Sequence, residues 1–124
     1  MKQHDAIDAL LALGQDTRLT AFRLLIEEGP HGLNVGDIAV RLGVNLSTLS
    51  RHLAQMERAA LLKSWRRERQ VFYAINHRGT ADLIRFLTED CCKANPEICG
   101  GFSRRREEDR KRRKDRQVRE KNPA

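Results

Sequence analysis

No run of eighteen apolar residues occurs in the 124 residues of this chain, so no segment reads as a membrane span. The opening Met-Lys-Gln-His-Asp leads straight into a mixed amphipathic stretch, which is not the pattern of a signal peptide. A cytoplasmic, bacterial-type protein with no membrane partner is expected. Cysteine is scarce: there are three, an odd number, all between positions 91 and 99. Without an export signal, that count argues against a structural disulfide framework and for ligands or reactive thiols. Also missing are a glycine-rich phosphate loop, a metal-hydrolase motif, and a nucleophile, base and orienting group at recognisable spacing. Enzymatic activity is therefore not expected, and no internal repeat is evident.

What is abundant is positive charge, +7 overall. Residues 103–124 carry eleven Lys or Arg against five acids, which leaves only +1 for residues 1–102. Within that body, residues 41–78 hold eight basic and two acidic side chains, while residues 1–40 carry −3 and residues 79–102 carry −2. The middle third thus has a basic footprint of its own, of the kind that meets nucleic acid. The last 22 residues have almost no apolar anchor beyond Val118, so two parts are expected: a folded domain over 1–102 and a disordered basic tail over 103–124.

Hydrophobic periodicity and capping residues predict five helices and one hairpin, a mainly α fold. Asp5 is expected to cap a first helix with Ile7, Leu10, Leu11 and Leu13 on its apolar side, ending at Gly14. Asp16 is expected to cap a second, with Leu19, Phe22, Leu25 and Ile26 inward, stopped by Gly29-Pro30. Asn34 and Asp37 resemble a capping box for a short third helix ending at Gly43. Asn45 then caps a fourth helix, with Leu46, Leu49, Leu53 and Met56 inward. Segments 62–66 and 70–75 alternate as strands around an Arg67-Glu68-Arg69 turn. A fifth helix, about Thr80 to Lys93, carries Leu83, Ile84, Phe86 and Leu87 on one stripe and ends before Pro96.

Two short helices joined at a glycine turn, the second polar on its outer face, followed by a basic hairpin, make a winged helix-turn-helix. Small polar residues let a recognition helix approach base edges and phosphates, and Asn45, Ser47, Thr48, Ser50 and Arg51 supply them. His52 and Gln55 lie one turn further on. Arg66, Arg67 and Arg69 of the wing are placed for the backbone or an adjacent minor groove. Double-stranded DNA is the expected partner. The plainer alternative is a solvated polar helix beside a charged hairpin, and the local charge surplus speaks against it.

The stretches LGQDTRLTAFRLLIEEG, DIAVRLGVNLSTLSRHLAQMERAALL and RRERQVFYAIN, within residues 13–76, resemble the ArsR/SmtB family of ligand-responsive bacterial repressors. The resemblance implies a homodimer formed by the first and fifth helices. It also implies binding to an imperfect inverted repeat, with release when an inducer binds. One sensor site of that family has two cysteines at the start of the third helix, where this chain has Asn34 and Gly36. Another uses carboxylates and histidines of the fifth helix for zinc, but here that helix offers Asp82, Glu89 and Asp90 and no histidine after His77. The arrangement Cys91-Cys92, six residues, Cys99 looks like the C-terminal arsenite site of some members. A further departure is Ala60, where the family usually has glycine. In a left-handed conformation an alanine costs about 1 kcal/mol.

Trivalent arsenic or antimony makes three soft bonds to sulfur, and this chain has three thiols to offer. As(III) or Sb(III) is therefore the expected inducer, with no obligatory cofactor. Cys91 and Cys92 in a frayed last helical turn can swing toward one ion that Cys99 closes from the Pro96 turn. Tetrahedral zinc or cadmium would need a fourth ligand, such as His31, His77 or a partner-subunit cysteine. Redox switching is less favoured, because a helix C-terminus with Glu89 and Asp90 raises thiol pKa. The plain reading of the cysteines is as small buried hydrophobes. A rival of another class is a constitutive scaffold that packages DNA through its tail and senses nothing.

Overall fold

The computed structural model describes residues 1–90, in the order α1 (Gln3–Leu13), α2 (Asp16–Glu28), β1 (Leu33–Asn34), α3 (Val35–Leu42), α4 (Leu46–Arg58), β2 (Leu62–Arg67), β3 (Gln70–Ile75) and α5 (His77–Arg85), followed by a π-helical turn, Phe86–Asp90. The strands form one antiparallel sheet in the order β1-β3-β2. Five helices with this hairpin make the mainly helical winged helix-turn-helix that the periodicity indicates. Cys91, Cys92, Cys99, the Pro96 turn and the tail 103–124 lie outside the described residues.

Local hydrogen bonds explain most element boundaries. The Asp37 N–H donates to Asn34 Oδ1 at 2.7 Å, and the Ser47 N–H donates to Asn45 Oδ1 at 2.9 Å, so both asparagines cap as expected. Gly43 closes α3 in the left-handed conformation, φ 65°, and the next N–H, that of Val44, returns to the Ala39 carbonyl. The other starts are displaced from expectation. Asp5 lies inside α1 and accepts from the Lys2 N–H, 3.2 Å. Gln15, not Asp16, caps α2 by accepting from the Arg18 N–H. The fifth helix begins at His77 rather than Thr80, because Asn76 Oδ1 accepts the Gly79 N–H at 3.0 Å.

The core of residues 1–84 is built by Leu25, Ile38, Leu49, Leu53, Met56, Leu61 and Leu62, all fully buried. Phe22, Tyr73, Ile75 and Leu83 join it. Apolar stripes are expected to mark the inner faces, and on α1 they do not: Ala6, Ala9 and Ala12 are buried, while Ile7, Leu10 and Leu11 are exposed, Leu11 by 63%. Alanines let α1 approach α2 and α4 closely, and the leucines are left outside this chain. Leu19, Ile26, Leu46 and Ile84, also expected inward, are exposed. No helix among the described residues is long and apolar enough to cross a membrane.

Ala60 is left-handed, φ 63°. The Leu61 N–H reaches back to the Met56 carbonyl there, which turns the chain from α4 into β2. A Cβ at Gly79 would overlap the Ala60 carbonyl, so only glycine lets α5 pass this turn so closely.

Candidate nucleic-acid interface

The candidate recognition element is α4, seated on α2 and α3 by Leu49, Leu53 and Met56. That anchoring turns Asn45, Ser47, Thr48, Ser50 and Arg51 to solvent at its first turns. Part of their hydrogen-bonding capacity is already committed. Ser47 Oγ donates to Asn45 Oδ1 at 2.6 Å, and Ser50 Oγ donates to the Leu46 carbonyl at 2.9 Å. With their protons so used, both hydroxyls can only accept, which suits the amino group of a base edge and not a phosphate, whereas the Asn45 amide nitrogen and the Arg51 guanidinium can donate to either. Arg51 carries the fork that suits guanine O6 and N7.

His52 and Gln55 stand on the flank of α4 that faces α1 and α2. His52 Nδ1 is 2.9 Å from Arg18 Nη1, and a guanidinium can only donate, so Nδ1 accepts and the ring proton resides on Nε2. Burial and the Arg18 charge together hold the imidazole below its usual pKa. Arg18 also donates from Nε to the Ala12 carbonyl at 2.6 Å and from Nη2 to the Leu11 carbonyl at 3.5 Å. One side chain thus joins the end of α1, the start of α2 and the recognition helix. Composition gives no sign of this pairing, whose partners are 34 residues apart. Gln55 is half-buried and borders a surface pocket with Asp8, Leu11, Arg58 and Ala59.

The wing is the β2–β3 hairpin, in register from Leu62↔Ile75 to Arg67↔Gln70. Its turn is shorter than expected: Arg67 belongs to β2, and only Glu68 and Arg69 connect the strands, with φ 50° and 70°. Two successive left-handed residues give the turn whose twist matches an antiparallel pair. Trp65 stacks on Phe72 across the strands, centroids 5.8 Å apart, and stiffens the ribbon. Ser64 Oγ donates to Glu57 Oε1 of α4 at 2.6 Å, fixing the base of the wing to the recognition helix. Opposite Ser64 stands Tyr73, whose hydroxyl pKa is raised by burial and by Glu57. Alternation places Arg66 on the face shared with Leu62 and Ser64, and Arg67 on that of Trp65. All three wing arginines are exposed.

Residues 15–64, which hold α2 to the start of the wing, match the bacterial regulatory protein family arsR. The transcriptional activator HlyU of Vibrio cholerae serotype O1 is 30% identical over 90 residues, which span 73% of this chain and 81% of that protein. The chain belongs to the ArsR family. As an ArsR-family protein it is a DNA-binding transcription regulator and not an enzyme, and DNA binding and homodimerisation are typical of the family. The structure of reduced HlyU from Vibrio cholerae N16961 superposes with a TM-score of 0.55 at 27% identity, covering 67% of this chain and 85% of that one. The homodimeric winged helix-turn-helix domain of Mb0332 from Mycobacterium bovis shares the fold, with a TM-score of 0.58 at 23% identity, covering 76% and 84%.

Proposed function

We propose that this ArsR-family chain is a homodimeric repressor of the bacterial cytoplasm, which binds an imperfect inverted repeat through α4 and the wing and releases it when trivalent arsenic or antimony is bound by Cys91, Cys92 and Cys99. The observation that carries the sensing half is the position of sulfur: every thiol of the chain falls in nine residues that follow the π-helical turn, and residues 1–90 contain none. Three soft donors match the three bonds of a trivalent metalloid. Among the described residues no group of three His, Cys, Asp or Glu side chains could hold a metal ion. The exposed leucines of α1 support pairing through the first and fifth helices, with residues 1–102 as the DNA-binding and dimerising domain and 103–124 as a basic extension. An ion tying the end of the fifth helix to the segment after it would alter the spacing of two recognition helices, on which affinity for a two-half-site operator depends.

The test is fluorescence anisotropy on an operator fragment titrated with arsenite, using Cys91→Ser, Cys92→Ser and Cys99→Ser. Arsenite should release the unmodified protein and not the variants. Release of all three variants would remove the metalloid from these thiols. A second reading comes from HlyU, which is described as an activator and whose reduced form has been solved. On that reading the thiols report oxidation and the chain raises transcription. Diamide in place of arsenite, with a reporter gene behind the operator, separates the two.

A further inference from the structure

Leu46 is the first residue of α4 and, although apolar, is 54% exposed, while Leu49 and Leu53 on the same helix are fully buried. Its neighbours along the chain, Asn45, Ser47 and Thr48, are polar and exposed, so it is the one large apolar group exposed in the first turn of the recognition helix. The backbone on either side of its Cα is fixed by the helix start. The Leu49 N–H donates to the Asn45 carbonyl at 2.9 Å, and the Leu46 carbonyl accepts the Ser50 hydroxyl. A leucine fixed there gains little within residues 1–90, since more than half of it remains in water. In the major groove, the apolar feature that distinguishes one base from the others is the 5-methyl group of thymine. The first turn of a recognition helix is the part that reaches base edges.

We infer that Leu46 is a specificity-determining residue that reads a thymine methyl in each operator half-site. This rests on α4 entering the major groove. Ser47 and Ser50, presenting acceptors beside it, and Arg51, one turn on, supply polar readout of neighbouring bases. Leu46 supplies an interaction that discriminates by shape and dryness rather than by hydrogen bonding.

The test uses the full-length protein and duplexes that it selects from a random DNA library. Each thymine of the selected sequence is replaced in turn by deoxyuracil, which keeps the base pair and removes only the methyl, and binding is followed by anisotropy. One position per half-site should weaken by about fourfold, the effect of withdrawing one buried methyl group. In Leu46→Ala that thymine-to-uracil ratio should fall to about one, while circular dichroism and melting remain those of the unmodified protein. If no thymine responds, if the library gives no consensus, or if Leu46→Ala keeps the ratio, the assignment is overturned. Arg51→Ala tests the groove itself: undiminished affinity in that variant would remove α4 from the major groove. Loss of affinity in it, with no methyl effect, would remove Leu46 alone.

Discussion

His52 has a depressed pKa because it is partly buried and faces a cation that can only donate to it. The unfolded chain takes up the proton near the ordinary value of 6.5, whereas the folded chain resists it to lower pH. Stability should therefore be level above about pH 6.5 and fall as acid is added below it, until the folded pKa is passed. Urea midpoints from pH 8 to pH 5 should show a steeper acid loss for the unmodified protein than for His52→Gln, and equal slopes would clear the Arg18 pairing of responsibility. Ala60 offers a second test. Relief of its left-handed backbone in Ala60→Gly should stabilise by up to about 1 kcal/mol, offset in part by the freer unfolded chain. The strain at Ala60 is legible in sequence, from a glycine position occupied by alanine. The Arg18–His52 pairing is not, since nothing local signals a partner 34 residues away.

Helix starts show why some elements can be read and others only approached. Asn34 and Asn45 cap their own helices through bonds spanning two or three residues, so sequence and structure coincide. Gln15 and Asn76 cap equally well, but Gln15 stands beside Asp16, a commoner capping type, and Asn76 lies four residues before Thr80, where the apolar stripe draws the expected start. Periodicity identifies the stripe on α1 correctly as apolar. What covers a stripe is not in the pattern, and the small, close-fitting alanines take the inner face. At the scale of the wing, Glu68 and Arg69 occupy two left-handed positions without asparagine or glycine. Glu68→Asn should raise stability by several tenths of a kcal/mol and, by removing an acid from the tip, tighten DNA binding. Arg67→Ala should weaken binding to all sequences alike and lower the slope of log K against log salt by about 0.9 for each phosphate that the side chain neutralises. A weakening confined to one sequence would instead assign Arg67 to a base.

Charge along the chain is unevenly placed, with +6 in residues 41–78 and −3 in residues 1–40, which favours an approach to DNA led by residues 41–78. Deleting residues 103–124 should reduce the salt slope while preserving preference for the operator, because their surplus of +6 adds attraction without reading bases. If preference disappears with the tail, the tail reads sequence. The proposed pairing is tested by Leu11→Lys, which should shift the protein toward monomer in sedimentation and abolish binding to paired half-sites at concentrations where the unmodified protein binds. The turn at Ala60 also constrains how this chain can change over generations. Its carbonyl fills the space a side chain at position 79 would need, so Gly79→Ala arises at a cost unless the backbone at 60 has first moved. The double-mutant cycle of Ala60→Gly and Gly79→Ala should accordingly be non-additive. Change at position 79 thus waits on the backbone at position 60, whereas glycine at position 60 is open without any change at position 79.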